Sequence, residues 1–392
     1  MRVLFVNTTC GRGSHGKICG ELASQHIANG DECRIAYGRE SVPEQYQSIA
    51  IKIGNKASTY FHVLKSRMFD EHGFGSKAVT RKFLQWADTF DPDVLWLHNI
   101  HGYYLNIELL FQWIKSRPNM QVKWTLHDCW AFTGHCAFFT MARCNQWKTK
   151  CNHCPCKRDY PQSVLLDASS KNYERKKKLF TGIQNLTLIT PSQWLADLTR
   201  ESFLSDYPVT VVNNQIDTTV FCPTKCAFRE EHHIQDKKMV LGVANVWHER
   251  KGLRDIIQLA HMLDESYQIV LVGLTQRQLD DALAAFSPFE FSRVPYQELV
   301  RTAGGIAIPE NVGCLYHAIT GDSFRGSLHE AGKIIALPRT NSQQELAGLY
   351  STADVFINPT HEDNYPTTNL EAQACGTWTI TYDVGGSKET IK

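Results

Sequence analysis

The sequence lacks any long apolar run and any excess of charge, and both absences exclude classes of protein. Within 392 residues, no uninterrupted apolar stretch approaches the roughly 20 residues that a membrane-spanning helix needs. The net charge is +1, so no global field favours nucleic acid or an anionic membrane. The N-terminal residues MRVLFVN enter an apolar strand directly, without the charged region, apolar segment and cleavage site of a secretory signal.

Cysteine, by contrast, is plentiful. The chain has 13 cysteines, and an odd number would leave one thiol unpaired in an exported protein. A reducing compartment accommodates such a chain better. We therefore expect a cytoplasmic protein, with the inner face of the membrane as an alternative location.

Short apolar runs alternate with helical patterns along the chain, and this is typical of parallel sheets with crossover helices. The length exceeds what one hydrophobic core normally organises. We predict an α/β fold of two doubly wound, Rossmann-like domains facing a cleft. The predicted parts are an N-terminal domain at 1–223 with a cysteine-rich loop at 129–161, a linker at 224–237, and a C-terminal domain at 238–392 with an insertion at about 280–332.

The most informative segment is NPTHEDNYPTTNLEAQACG (358–376). It predicts a strand end, an acidic turn that closes with Pro366, and a helix from Thr367 to Cys375 with Gly376 as its C-cap. Asp363 and Glu371 lie eight positions apart across the helix start. A helix N-terminus at the carboxyl end of a parallel strand suits a diphosphate, and a carboxylate further along can reach sugar hydroxyls. The alternative is an acidic turn that only stabilises the helix dipole.

Three further segments place polar residues at predicted strand ends. NTTCGRGSHGKI (7–18) is a glycine loop in which Gly11, Gly13 and Gly16 allow close approach of a ligand. LHNIHGYY (97–104) and TLHDCW (125–130) place a group of polar side chains where open sheets bind ligands. That group consists of His98, Asn99, His101, His127 and Asp128. The alternative is that these are hydrogen-bonded structural residues.

A basic turn follows the first strand of the second half. GVANVWHERKGL (242–253) carries Arg250 and Lys251 directly after an apolar strand. Two cations at that position suit a phosphate group. An ordinary exposed turn is the alternative.

In this order, the motifs resemble those of retaining glycosyltransferases of family 4, which have the GT-B fold. The resemblance covers nearly the whole chain. The chain departs from the family pattern at three points. Asp363 stands where the family usually has glutamate, and Gln215 stands where it usually has glycine. The arginine that the family usually has upstream of its phosphate-binding lysine is not obvious in this sequence. A similar cysteine loop occurs in family members that build bacterial surface polysaccharides.

The resemblance implies a nucleotide-diphospho-sugar donor and a glycan or lipid-linked acceptor. It assigns catalytic roles to His127, Asp363 and Glu371; donor binding to Gly16, Arg250, Lys251, Thr367, Thr368 and Glu371; and acceptor binding to His98, Asn99, His101 and Asp128. The implied front-face reaction needs no protein nucleophile and no general base. The sequence DPD (91–93) precedes a strand, so we interpret it as a loop and expect no cofactor to be required for catalysis.

The cysteine-rich loop contains the start of a zinc-binding pattern. Cys136, Cys144, Cys151 and Cys154 are candidate ligands for a structural zinc ion, with Cys156 and His135 among the spare candidates. Free buried thiols and disulfides are the alternatives. Because the loop follows the His127–Asp128 strand end, we expect it to shape the acceptor pocket.

The remaining predictions concern membrane contact, the end of the chain and the rival functions. The basic helix NYERKKKLF (172–180) suggests peripheral contact with an anionic membrane, with a solvated helix face as the alternative. The chain stops at GGSKETIK (385–392), where family members continue, so we expect a truncated chain with impaired closure. The rival functions are a sugar-nucleotide epimerase or hydrolase, and a non-catalytic binding scaffold.

Overall fold

The computed structural model of the protein describes residues 1–284 and 334–391. Most of the insertion predicted at about 280–332 lies outside these residues. The chain divides into two compact units, Met1–Asn214 and Gln215–Lys392. Each unit contains one parallel sheet, so the prediction of two Rossmann-like α/β domains is confirmed.

The first unit is built on a seven-stranded parallel sheet. Its strands are β1 (Arg2–Asn7), β2 (Glu32–Tyr37), β3 (Ala50–Lys52), β4 (Val94–Leu97), β5 (Gln121–Thr125), β6 (Leu186–Thr190) and β7 (Val209–Val211), in the order β3-β2-β1-β4-β5-β6-β7. Its helices are α1 (Gly13–Ala28), α2 (Lys56–Phe69), α3 (Lys77–Phe90), α4 (Ile107–Lys115), α5 (Ser169–Phe180) and α6 (Gln193–Arg200). The strand order reverses between β1 and β4, which opens a crevice at their carboxyl ends. Because Val6 pairs with Leu97, Asn7 and His98 are the next residues at that edge.

The second unit has a five-stranded parallel sheet with its own reversal. The strands are β8 (Lys238–Val243), β9 (Tyr267–Val272), β10 (Ile334–Leu337), β11 (Val355–Asn358) and β12 (Trp378–Thr381), in the order β10-β9-β8-β11-β12. The described helices are α7 (Phe228–Glu231), α8 (Leu253–Met262), α9 (Gln276–Ala284), α10 (Gln343–Thr352) and α11 (Thr367–Ala374). The reversal lies between β8 and β11, so the turns that follow these strands meet at one edge.

The segment predicted as a linker, 224–237, lies inside the second unit. Phe228 and Ile234 are buried in its core. The guanidinium of Arg229 donates to the carboxylate of Asp354 (2.5 Å) and to the backbone carbonyl of Lys237 (2.7 Å). This corrects the predicted boundary, because a polar composition does not show which side chains will be buried.

Two of the four cations of the predicted basic helix α5 are occupied by internal contacts. Lys176 is buried, and its ammonium donates to the carbonyl oxygens of Trp130 (2.7 Å) and Thr133 (3.1 Å). Burial lowers the pKa of Lys176 to about 7. Arg175 forms an ion pair with Glu108 (2.8 Å). Lys177 and Lys178 are exposed, so two of the four cations predicted to face a membrane remain at the surface. Membrane contact by this helix stays a prediction. Among the described residues, no helix has both the length and the apolar composition needed to cross a bilayer.

Candidate functional site

Two polar turns of the second unit lie side by side because they follow adjacent strands. We call residues 249–252, after β8, the basic turn, and residues 359–366, after β11, the acidic turn. The carbonyl oxygen of Arg250 accepts a hydrogen bond from the backbone N–H of His361 (2.8 Å). The Arg250 guanidinium donates to the carbonyl oxygen of Glu362 (2.5 Å). These bonds hold the two turns together without any ligand.

The close approach of the two turns requires a glycine. Gly252 has a φ of +73°, and a Cβ atom there would lie 2.1 Å from the carbonyl oxygen of Pro359. Behind this contact, the Asp255 carboxylate accepts hydrogen bonds from Nε2 of His361 (2.8 Å) and from the hydroxyl of Tyr382 (3.0 Å). The geometry of the turns is therefore set by both backbone and side chains.

An ion pair between Lys251 and Asp363 joins the two turns. The other oxygen of the carboxylate, Oδ1, accepts the N–H of Asn364 (2.8 Å). Burial alone would raise the pKa of Asp363, but the positive charges of Lys251 and Arg250 outweigh burial and lower it. Asp363 is therefore ionised at neutral pH. The structure brings three of the predicted site residues into one group.

The remaining predicted residues of this motif lie on α11. Pro366 is the N-cap residue, and Thr367 and Thr368 occupy the first turn. Glu371 lies one turn further along, where its Oε2 accepts a hydrogen bond from the hydroxyl of Tyr350 on α10 (3.1 Å). Tyr350 is fully buried, and burial together with Glu371 raises its pKa well above the ordinary value. Glu371 is thus oriented by a buried partner that the sequence did not reveal.

A line of polar side chains follows the crevice of the first unit. The amide of Asn7 donates to the carbonyl oxygen of Thr9 (2.8 Å) and contacts Nδ1 of His15 (3.3 Å). Nδ1 of His98 lies 3.0 Å from Nε2 of His127, and the two rings stack. The ring of His15 lies 5.8 Å from that of His127. The structure therefore joins two predicted residues and adds His15 and Asn7 to them.

These three imidazoles are neutral at pH 7. Burial lowers the pKa of His15 to about 4 and that of His98 to about 3. Burial and the neighbouring histidines lower the pKa of His127 well below its ordinary value. Neutral rings offer one donor and one acceptor each. They can orient a sugar hydroxyl, but they carry no charge of their own.

A histidine–aspartate pair lies beside this line of polar side chains. Nε2 of His101 donates to Oδ2 of Asp128 (3.0 Å), and its Nδ1 contacts the hydroxyl of Tyr160 (3.1 Å). Burial would raise the pKa of Asp128, but His101 and the N–H of Trp130 lower it overall. The predicted acceptor residue Asn99 donates its backbone N–H to Oδ1 of Asn7 (3.2 Å) and so belongs to the first line.

The glycine loop after β1 has a structural explanation. A Cβ atom on Gly16 would lie 2.4 Å from Oγ1 of Thr9, so glycine is needed for packing there. Gly13 has a φ of +66° and open space where a side chain would be. Close approach by a ligand is therefore easier at Gly13 than at Gly16, the residue that the resemblance suggested.

The described cysteines carry free thiols. Hydrogen bonds from Cys136 and Cys156 lower the pKa of Cys154, so these three thiols lie close together. Within residues 1–284 and 334–391, no three His, Cys, Asp or Glu side chains are arranged to hold a metal ion. Cys151 lies near Cys144 and Cys154, so the predicted set of Cys136, Cys144, Cys151 and Cys154 occupies one region of the loop without forming a metal site in the described residues. Zinc binding stays a prediction.

The DPD sequence anchors the start of β1. Asp93 accepts the backbone N–H of Arg2 (2.7 Å), and Asp91 forms an ion pair with the Arg2 guanidinium (2.9 Å). These contacts lie at the amino end of the strand, away from the crevice.

The chain is similar to known glycosyltransferases in sequence and in fold. Residues 327–392 match the family model described as Glycosyl transferases group 1. Over 233 residues, the chain is 29% identical to the putative colanic acid biosynthesis glycosyl transferase WcaC of Escherichia coli K12. That match spans 55% of this chain and 55% of WcaC, so it covers about half the length of the relative.

Solved structures match over almost the whole chain. Sucrose-phosphate synthase from Thermosynechococcus elongatus is similar with a TM-score of 0.60 at 13% identity, covering 98% of this chain and 82% of its own. Anabaena HepE, solved with UDP and glucose, gives 0.58 at 13% identity, covering 100% and 83%. WaaG, a glycosyltransferase of lipopolysaccharide biosynthesis, gives 0.52 at 14% identity, covering 99% and 83%. The chain has a GT-B fold. The resemblance to glycosyltransferases of this fold is thereby confirmed, and the segment that matches the family model contains the acidic turn and Glu371. Membership of family 4 and a retaining reaction stay predictions.

The His361–Asp255 contact makes the stability of the acidic turn depend on pH. Hydrogen bonding to Asp255 raises the pKa of His361 above its ordinary 6.5. The pair therefore adds stability that is fully present below about pH 6.5 and is lost as the pH rises through the raised pKa. We expect His361→Gln to lower the free energy of unfolding more at about pH 6 than at about pH 9.

Urea unfolding at both pH values measures this difference. His232→Gln, which changes an exposed histidine of the same unit, is the matched control. An equal loss at the two pH values would show that the imidazolium form does not stabilise the turn.

Proposed function

We propose that the protein is a retaining glycosyltransferase. It moves a sugar from a nucleotide-diphospho-sugar to a glycan or lipid-linked acceptor during cell-surface polysaccharide biosynthesis. The observation that carries the proposal is the direct contact between the basic and acidic turns at the reversal of the second sheet. The family match and the roles of WcaC and WaaG, in colanic acid and lipopolysaccharide biosynthesis, support the same function.

The basic turn would bind the donor's diphosphate. Breaking the anomeric C–O bond places negative charge on the leaving phosphate, and Lys251 and Arg250 are the cations of this group. The first turn of α11, with the hydroxyls of Thr367 and Thr368, adds donors at a helix N-terminus. Fixed donors of this kind each contribute about 3 kcal/mol to transition-state stabilisation.

The acidic residues would bind the donor's hydroxyl groups. Lys251 is paired with Asp363 in the structure, so an arriving diphosphate would share its ammonium group with the carboxylate. Asp363 keeps its charge beside two cations and can accept a hydrogen bond from the sugar. Glu371, held by Tyr350, would accept hydrogen bonds from ribose or sugar hydroxyls.

The first unit would bind the acceptor, and His127 would help to orient the donor sugar. The neutral His127 ring, in contact with His98, can hydrogen-bond a sugar hydroxyl. The His101–Asp128 pair provides a carboxylate for an acceptor hydroxyl. In the front-face reaction the acceptor oxygen forms the new bond to the anomeric carbon on the face that the phosphate leaves. The acceptor's proton passes to the departing phosphate, so we assign no protein base.

A panel of nucleotide sugars tests the proposal. UDP-glucose is the first donor to test, because HepE was solved with UDP and glucose. We expect turnover only when an acceptor is present, also in EDTA, and a product whose anomeric configuration, measured by NMR, matches that of the donor. Product without acceptor would indicate an epimerase or hydrolase instead. Binding without turnover across the panel would indicate a scaffold.

Lys251→Ala should weaken the binding of UDP by about tenfold or more, because a charge-assisted contact to phosphate is lost. Uridine, which has no phosphate, should bind equally to both proteins. Titration calorimetry measures both affinities. Arg277→Ala, which removes an exposed cation from α9, is the matched control. Wild-type affinity for UDP in both Lys251→Ala and Arg250→Ala would exclude a phosphate site at this turn.

Glu371→Gln should reduce turnover by about tenfold or more, because an amide loses the charge that accepts hydroxyl donors. Tyr350→Phe removes only the hydrogen bond that orients this carboxylate, so its effect should be smaller and in the same direction. Initial rates with a saturating acceptor measure both variants, and thermal unfolding shows whether each is folded. Turnover within about threefold of wild type in folded Glu371→Gln would remove the residue from the site.

A further inference from the structure

Helix α2 presents its apolar side chains to solvent. On the side that packs against the domain it buries His62 and Ser66, which are polar. On the outer side it exposes Tyr60 (66%), Phe61 (67%) and Leu64 (43%). A surface helix of a soluble protein normally has the opposite arrangement, with apolar residues towards the core. The outer face of α2 is therefore suited to an apolar environment.

The buried polar face of α2 has defined internal partners. Nε2 of His62 accepts the backbone N–H groups of Gly73 and Gly75, each at 3.2 Å, and Nδ1 contacts the hydroxyl of Ser76 (2.9 Å). These bonds fix the rotation of the helix about its axis. The exposure of the aromatic residues is thus a consequence of satisfied hydrogen bonds on the other side.

A neighbouring loop extends the apolar surface. The backbone N–H of Val164 donates to the carbonyl oxygen of Arg67 (2.7 Å), and that of Leu166 donates to the carbonyl oxygen of Met68 (3.2 Å). This pairing places three exposed residues beside the last turn of α2: Val164 (61%), Leu165 (59%) and Leu166 (54%). Phe69, at 46%, ends the helix there. Of the 13 large apolar side chains exposed in the described residues, seven lie on these two segments. We call these seven residues the apolar patch.

The charges of α2 indicate which kind of partner covers this patch, a second copy of the chain or a bilayer. Its charged residues are Lys56, Lys65 and Arg67, and the helix has no acidic residue. Lys65 pairs with Glu71 just beyond the helix (2.5 Å), so Lys56 and Arg67 carry the positive charge of this face. A two-fold dimer through this face would place these cations near their own copies, which is unfavourable. A bilayer with anionic headgroups matches both features, because its surface attracts cations and its acyl region accepts aromatic and aliphatic side chains.

A series of ring contacts, one edge-to-face and two tilted, leads from the buried side of α2 to the predicted acceptor residues. The ring of His62 lies 5.8 Å from that of Tyr103, Tyr103 lies 4.6 Å from His72, and His72 lies 5.6 Å from His101. His101 is the residue that pairs with Asp128. A membrane bound at α2 would therefore lie close to the residues proposed to bind a lipid-linked acceptor.

We propose that the apolar patch on α2 and residues 164–166 inserts into the surface of an anionic phospholipid bilayer. This places a membrane contact on α2 and the adjacent loop, separate from the one predicted on α5. The link to a lipid-linked acceptor rests on the proposed function, whereas membrane binding itself does not.

Co-sedimentation with vesicles tests the proposal. Wild-type protein should bind phosphatidylcholine vesicles that contain phosphatidylglycerol, and it should bind pure phosphatidylcholine more weakly. The double variant Phe61→Ser and Leu165→Ser should bind about tenfold more weakly or worse, because two exposed side chains lose their apolar contact with lipid. Val212→Ser, which changes an apolar residue 53% exposed elsewhere in the first unit, is the matched control and should bind like wild type.

Both changes affect exposed side chains, and thermal unfolding confirms that each variant is folded. Equal binding by wild type and the double variant, or no binding of wild type to either vesicle, would overturn the proposal. A wild-type dimer in light scattering that the double variant converts to a monomer would assign the patch to self-association instead. The vesicles contain neither nucleotide nor acceptor, so failure to bind them is distinct from failure of sugar transfer.

Discussion

The contact between the basic and acidic turns is the interaction on which the candidate site depends. It exists because β8 and β11 are adjacent parallel strands, whose carboxyl ends lie at one edge of the sheet. The two turns then come into direct contact through backbone hydrogen bonds, the absence of a side chain at Gly252 and the Lys251–Asp363 pair. A ligand at this edge meets cations and a carboxylate together, which suits a molecule with a diphosphate at one end and hydroxyl groups at the other. Neither turn alone has both kinds of group.

The first unit offers a different chemistry at the corresponding edge of its own sheet. Burial keeps His15, His98 and His127 neutral, so this group supplies hydrogen bonds without charge. The ionised Asp128 lies next to it and is already paired with His101. Such a surface can orient uncharged sugar hydroxyls without competing with the second unit for a phosphate.

Much of this arrangement could be predicted from local sequence. The helix expected from Thr367 to Cys375 runs from Thr367 to Ala374, because Pro366 and Gly376 mark its ends through backbone preferences that act over a few residues. Strand ends could be predicted for the same reason, and they indicated where polar side chains lie at the edge of each sheet. The partners of the site residues were not predictable. Tyr350 lies 21 positions from Glu371, and no local pattern connects them.

Burial was the other property that the sequence did not determine. Lys176 belongs to a run of cations, yet it is covered by the loop containing Trp130 and Thr133. Segment 224–237 has the composition of a linker, but Arg229 and Phe228 attach it to the second unit. In α2 the same uncertainty had the opposite outcome, since Tyr60 and Phe61 are exposed although their types are usually buried. Which face of a helix is covered depends on contacts between distant segments.

A crystal structure of the protein soaked with UDP would show whether the junction of the two turns is the donor site. We expect the diphosphate to lie at this junction, with phosphate oxygens within hydrogen-bonding distance of Nζ of Lys251. We also expect ribose hydroxyls to face the carboxylate of Glu371. A diphosphate bound elsewhere in the chain, with the Lys251–Asp363 pair intact and its surroundings empty, would contradict the assignment of this junction as the donor site.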